Sequence, residues 1–268
     1  MSDRLAIIAG RGDLPGALAR ARPGALLVHF ANVDGVVVPE GMRHLETRFE
    51  HLGTLFARLR AEGVGEVVFA GAMERPRLAP EALDAPTRAL LGRLEVAMAG
   101  RDDALMRWVV DLFEEEGFDV RGVHQVAPDL LAPPGLALGV AMDDAGARDS
   151  AEGARILAAL APLDLGQAVV VEAGQCLGVE TLQGTDALLD FVAATPARLR
   201  RGRGVLVKLP KAGQELRLDM PVIGPATLEG VARAGLGGVV VQAGSVLVLE
   251  RARLAALAER LSLFVVAR

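Results

Sequence analysis

Residues 5–15 read Leu-Ala-Ile-Ile-Ala-Gly-Arg-Gly-Asp-Leu-Pro. Leu5–Ala9 is an apolar run of strand length, and Gly10 stops it. A glycine-rich turn between a first strand and a helix is where phosphate oxygens can meet backbone N–H groups. Gly10 and Gly12 supply that turn. The dinucleotide fingerprint asks for a third glycine, and Pro15 takes its place, although Asp34 lies roughly where a ribose-binding acid would. Plain turn chemistry is the competing explanation of the two glycines.

The pattern continues outward from this start. Ala25–Phe30 and Val64–Ala70 are further apolar runs, the latter stopped by Gly71. Between them Leu52, Leu55, Phe56 and Leu59 recur at helical spacing. The clearest helix is Asp102–Glu116, with Leu105, Trp108, Val109, Leu112 and Phe113 on one face, Asp102 or Asp103 as cap, and Gly117 just beyond the end. Phe118–Val126 reads as another strand. Such alternation predicts a Rossmann-like α/β domain with a largely parallel sheet over residues 1–130. The Pro-rich stretch Ala127–Gly135 marks the boundary. The second domain, 136–268, reads as mixed α+β with β-hairpins. Val169–Glu180 (VVVEAGQCLGVE) and Val239–Glu250 (VVVQAGSVLVLE) agree at seven of twelve positions, each centred on Ala-Gly. Both read as hairpins followed by helices, Asp186–Ala194 and Arg251–Leu261; an internal duplication and chance likeness both account for the match.

Composition removes several function classes. Aromatic residues make up 3% and Tyr is absent, which leaves few platforms for stacking single-stranded nucleic acid. A net charge of −5 also argues against a nucleic-acid partner. The lone Cys176 permits no intrachain disulfide, no apolar run is long enough to span a bilayer, and Leu5–Ala9 is too short for a signal-peptide core. A cytosolic protein is expected.

Three places gather chemistry. The first is the glycine turn. The second is Gly184-Thr185-Asp186, where Thr185 or Asp186 suits a helix N-cap and the helix end suits phosphate, with Asp186 available to a metal. The third is Lys208–Pro221, KLPKAGQELRLDMP. Lys208 and Lys211 suit a phosphorylated ligand, and Glu215 and Asp219, on one side of an extended segment, suit a shared cation or water. A solvated loop is the plain reading of the same residues. His124 ends an apolar strand and fits a buried histidine as well as a catalytic one, while His29, His44 and His51 show no metal-ligand spacing. The arginines 198, 200, 201 and 203 fit a solvated helix end or an anion-attracting patch.

Taken in order, IAGRGDLP (8–15), FAGAMERP (69–76), GRDDALMRWVVDLFEEEGFDVRGVHQV (100–126), VETLQGTDALL (179–189) and KLPKAGQELRLDMPVIG (208–224) resemble the UDP-2,3-diacylglucosamine pyrophosphatases of the LpxI type, from lipid A biosynthesis. The likeness covers nearly the whole chain. Departures are Ala212-Gly213 within the family's Lys-Pro-x-Gln, Val222 where a threonine is usual, and Gln125 where a glutamate is usual.

The resemblance implies Mg²⁺-dependent hydrolysis of the substrate's diphosphate to UMP and 2,3-diacylglucosamine 1-phosphate, with water directed at the phosphorus on the sugar side. It also implies two domains with the ligand between them and a homodimer; from the substrate's two acyl chains, transient contact with the membrane surface is expected, at the inner face of the inner membrane. Asp219 matches the family's essential aspartate, and Thr185, Asp186 and Gln214 match its substrate-facing motifs. The expected catalytic set is therefore Asp219, Lys211 and Gln214. Gly10, Gly12, Gly184, Thr185, Asp186, Lys208 and His124 are expected to face substrate, and Asp219, Asp186 and Glu215 to hold Mg²⁺. A non-catalytic nucleotide- or sugar-phosphate-binding module is the alternative, with Asp219 only capping a turn. A nicotinamide-dependent dehydrogenase is a further one, against which Pro15 speaks.

Overall fold

The computed structural model describes residues 4–73, 78–99, 102–211 and 215–268. The chain divides into two compact units: Met1–Pro128 with Glu215–Asp219, and Asp129–Gln214 with Met220–Arg268.

The first unit runs β1 (Arg4–Ala9), α1 (Leu14–Ala21), β2 (Leu26–Phe30), β3 (His44–Thr47), α2 (Leu52–Ala61), β4 (Val64–Ala70), α3 (Ala85–Ala89), α4 (Leu91–Ala99), α5 (Asp102–Glu115), β5 (Asp119–Arg121) and α6 (Val123–Val126). All five strands are parallel, in the order β3-β2-β1-β4-β5. The order reverses at β1, so the C-terminal ends of β1 and β4 form a topological switch point, the usual ligand side of such sheets. Ala6 and Ile8 join Leu55, Phe56 and Leu59 of α2 and Leu112 and Phe113 of α5 in one core, while Leu5 and Ile7 are buried too. Burial of successive residues explains why β1 is apolar throughout rather than alternating.

Helix α5 ends at Gly117, whose φ is +88°. The Phe118 N–H reaches Phe113 O and the Gly117 N–H reaches Glu114 O, a Schellman closure that glycine makes without strain. The Arg101–Asp102 start cannot be read for a cap, because Arg101 and the Asp102 and Asp103 side chains lie outside the described residues. The stretch after Gly117 departs from expectation. Only Asp119–Arg121 is strand, and Val123–Val126 is one helical turn, entered where Gln125 Oε1 accepts the Gly122 N–H at 2.8 Å.

The second unit runs β6 (Ala137–Gly139), α7 (Asp144–Leu160), β7 (Ala168–Glu172), β8 (Gln175–Val179), α8 (Gly184–Ala193), β9 (Val205–Lys208), β10 (Val222–Ile223), α9 (Pro225–Arg233), β11 (Gly238–Val241), β12 (Leu247–Val248), α10 (Arg251–Leu261) and β13 (Phe264–Ala267). A six-stranded sheet has the order β6-β13-β11-β9-β7-β8, with β13, β11 and β9 parallel and β6, β7 and β8 making antiparallel pairs. Val170, Leu206, Val239 and Val265 pack toward α8, α9 and α10, and Val169, Val207 and Val240 toward α7. The unit is thus a mixed sheet between two helical layers.

The first hairpin forms as expected: β7 and β8 pair antiparallel, with Ala173 and Gly174 both at positive φ in the turn. Asp149 holds that turn from α7, accepting the N–H groups of Ala173 at 2.9 Å and Gly174 at 2.8 Å. The second does not form. β11 lies between β9 and β13, and β12 instead pairs parallel with β10 in a separate two-stranded sheet. Like sequences here have unlike structures, so the two segments are not two copies of one hairpin.

Candidate functional site

Lys208 is the last residue of β9, next to Ala168 across the sheet. Only 9% of it is exposed. Its Nζ donates to Thr185 Oγ1 at 2.7 Å and stands 4.0 Å from Glu180 Oε1. The Thr185 hydroxyl donates to that same Glu180 oxygen, and Glu180 Oε2 accepts the Gln167 N–H at 2.7 Å. An ammonium has three N–H donors. Among the described residues one is used, which leaves this nearly buried cation two for an anion.

Lys211 is set differently. Its Nζ makes a direct 2.7 Å ion pair with Asp164 Oδ1, and Asp164 adopts φ +57° at the turn after Ala161–Leu163. Gln214 lies outside the described residues.

The Gly184–Asp186 motif is a helix start, but not by the expected cap. α8 begins at Gly184, with Gln183 in the capping position, so Thr185 and Asp186 are already inside the first turn. Thr185 therefore turns its hydroxyl toward Glu180 rather than to a helix N–H. Asp186 is exposed in that first turn, where a negative charge is favourable.

In the first unit the glycine turn has a packing role. The Gly10 N–H donates to Ala70 O at 2.7 Å, and Arg11 and Ala72 exchange two backbone hydrogen bonds at 2.8 and 3.0 Å. A Cβ on Gly10 would sit 2.5 Å from Ala72 O, and one on Gly71 would sit 2.5 Å from Arg11 O. The amides of Gly10 and Arg11 are therefore spent on tying β1 to β4. Gly12, at φ +96°, faces open space.

His124 belongs to α6 and not to a strand. Its Nδ1 is buried, with no hydrogen-bond partner among the described residues. The ring lies against Gly122, where a Cβ would come within 2.4 Å of its Cε1 and 3.3 Å of Arg217 Cα. His124 and the 215–219 segment are thus neighbours, which the sequence did not suggest.

Glu215–Asp219 is a tight turn, not an extended segment: the N–H groups of Leu218 and Asp219 both donate to Glu215 O, at 3.0 and 3.1 Å. Arg217 clasps Glu215, its Nε donating to Oε1 at 3.0 Å and Nη2 to Oε2 at 3.0 Å, while Nη1 reaches Glu114 at 2.7 Å. Hydrogen bonding from Arg217 holds the Glu215 carboxyl below its ordinary range. The segment is thus a turn and not the extended stretch on which the expected pairing of the two carboxylates rests. Glu180, Asp164 and Arg217, which fix these groups, went unnoticed in the sequence; Arg217, between two acids in the quoted loop, carried the only local signal.

Among the described residues no group of three or more His, Cys, Asp or Glu side chains is placed to hold a metal ion. A protein cage for Mg²⁺ is therefore not built from them. Mg²⁺ commonly binds through one or two carboxylates plus substrate phosphates and water, a mode that the oxygen donors of Asp219 or Asp186 fit.

Two family models match the chain: the LpxI N-terminal domain over residues 4–130 and the LpxI C-terminal domain over residues 133–266. A relative from Caulobacter vibrioides, UDP-2,3-diacylglucosamine pyrophosphatase LpxI, is 39% identical over 273 aligned positions. The alignment spans 98% of this chain and 96% of the relative.

Proposed function

The chain belongs to the LpxI family, and from that membership we propose that it hydrolyses the pyrophosphate bond of UDP-2,3-diacylglucosamine. The products are UMP and 2,3-diacylglucosamine 1-phosphate, and the step belongs to lipid A biosynthesis. The observation that carries this reading is identity to a pyrophosphatase along essentially the full length of both chains. The site chemistry supports it. A diphosphate needs cations with N–H donors to give, and among the described residues Lys208 spends only one, in a setting that excludes most water.

In this reading water attacks the phosphorus on the sugar side, the bond to the bridging oxygen breaks, and UMP leaves. Asp219 orients the water and accepts its proton. Lys208 and Lys211 offset charge on the diphosphate, with Asp164 holding Lys211 in place. Mg²⁺, when bound, lowers the charge on the diphosphate; Asp219 or Asp186 would hold it, and Glu215, clasped by Arg217, would not. Gly10 is assigned to strand packing rather than to substrate. His124 and Gln214 retain their proposed places in binding and catalysis.

The substrate carries two acyl chains, and no helix among the described residues is long and apolar enough to cross a membrane. We propose transient contact with the membrane surface, at the inner face of the inner membrane, and a homodimer as in the family. The test is direct: purified protein with UDP-2,3-diacylglucosamine and Mg²⁺ should release UMP. Release no greater than a no-enzyme control overturns the reading.

A further inference from the structure

We propose that Glu180 is a positioning residue for Lys208, acting through the Thr185 hydroxyl, and that Thr185 itself does not touch the substrate. The inference rests on the pyrophosphatase reading and refines it.

The argument begins with proton counting. A threonine hydroxyl has one hydrogen. Thr185 gives it to Glu180 Oε1, so its oxygen can only accept, and it accepts from Lys208 Nζ at 2.7 Å. A phosphate oxygen is itself only an acceptor, so Thr185 in this arrangement has nothing to offer it. The chain of bonds runs from ammonium to hydroxyl to carboxylate. The negative end polarises the hydroxyl and strengthens the bond from the lysine.

Glu180 is well fixed for this task. Its Oε2 accepts the Gln167 N–H at 2.7 Å, and its own N–H donates to Ala168 O at 2.8 Å. Gly166, at φ +39°, lies so close that a Cβ there would be 2.1 Å from Glu180 O. To swing toward Lys208 the carboxylate would have to give up the Gln167 N–H.

The 4.0 Å separation between Glu180 Oε1 and Lys208 Nζ decides the consequence. A contact pair would set one N–H directly against a full opposing charge, as Asp164 at 2.7 Å does for Lys211. With a hydroxyl interposed, the carboxylate still faces the buried ammonium, while only one N–H is spent. Fixing one N–H direction also fixes the other two, because the ammonium is tetrahedral. Lys208 is thereby oriented and still available.

The experiment measures UMP release from UDP-2,3-diacylglucosamine by the full chain and by Thr185→Val, Thr185→Ser, Glu180→Gln, Lys208→Ala and the paired variants. Thr185→Val is expected to lower kcat/KM by about 10–100-fold through misplacement of Lys208. Thr185→Ser should return it to within about threefold, since the hydroxyl is restored. In the Lys208→Ala background, Thr185→Val should add less than about twofold, because the two residues act as one unit. Glu180→Gln keeps an acceptor but not the charge; it should lose activity, and combining it with Thr185→Val should be no worse than Thr185→Val alone. Thermal unfolding of every variant separates misfolding from mispositioning. Activity of Thr185→Val within threefold of wild type overturns the inference, as do losses that multiply with those of Lys208→Ala. An inactive wild-type protein would instead overturn the pyrophosphatase reading itself.

Discussion

Replacing Gly10 with alanine puts the glycine turn to the test, because its two readings predict opposite phenotypes. The new Cβ would lie 2.5 Å from Ala72 O and 2.8 Å from Gly71 C, both backbone atoms that cannot rotate away. An ordinary carbon–oxygen contact needs roughly 3.3 Å or more, so β1 and β4 must part by about 0.8 Å at their ends. The bonds at risk are Gly10 N–H to Ala70 O at 2.7 Å and the Arg11–Ala72 pair at 2.8 and 3.0 Å. Three backbone bonds at about 0.5–1.5 kcal/mol each give a cost near 2–4 kcal/mol. That is a large share of a stability of about 5–15 kcal/mol. It should lower Tm by about 8–16 °C, at roughly 4 °C per kcal/mol for a unit of this size. Gly12→Ala is the control: it meets open space and carries only the penalty of φ +96°, about 1–2 kcal/mol. Scanning calorimetry gives the Tm values, and UMP release below Tm gives kcat/KM. A Gly10→Ala protein that melts within about 2 °C of wild type yet loses tenfold or more in kcat/KM would refute the packing argument. It would return the turn to substrate binding.

Asp219→Asn should abolish UMP release while substrate binding, followed by calorimetric titration, survives; a near-normal kcat would remove Asp219 from the chemistry. Lys208→Met should lower kcat/KM by about 10²–10³-fold and also lower Tm, since it leaves the buried Glu180 carboxylate without its cation. A fall in Tm with kcat/KM within threefold would make the lysine structural. Asp84 caps α3, accepting from Thr87 N–H at 2.8 Å and from Thr54 N–H and Oγ1 at 2.8 and 2.9 Å. Burial alone would push its carboxyl up, but these hydrogen bonds outweigh it and pull it down to about 2. A carboxyl with a lowered folded pKa stabilises above its unfolded pKa and loses that contribution as pH falls through the folded one. Asp84→Ala should therefore cost about 1–2 kcal/mol at neutral pH and flatten the Tm profile between about pH 4 and 2. A steep acid limb unchanged in the variant contradicts the assignment.

Local pattern carried much of the first sheet. β1 and β4 are apolar runs ended by glycines that the close crossing requires, and α2 and α5 have one apolar face each. Where tertiary partners decide, pattern failed. Phe118–Val126 reads as one strand, but Gly122 breaks it: any larger residue would collide with His124, and Gln125 then closes a helical turn. The two Ala-Gly segments show the same limit more sharply. Ala173-Gly174 turns because Asp149, on a distant helix, takes both of its N–H groups. Ala243-Gly244 gives its N–H groups to Arg268 O and Ala132 O, and β11 is held between β9 and β13. Nothing within twelve residues distinguishes these fates.

The candidate site obeys the same division. Residue types in Lys208–Pro221 point to charge handling, but the sequence treats its two lysines as equivalent, and its two acids likewise. Their neighbours separate them. Lys211 faces a carboxylate directly, whereas Lys208 faces one across a hydroxyl; Glu215 is closed off by Arg217 within a turn. The partners that make these distinctions, Asp164 and Glu180, lie 47 and 28 residues before the lysines they govern. Fold class follows from short-range periodicity. The assignment of roles among like residues follows from which charges the fold brings within 4 Å of them.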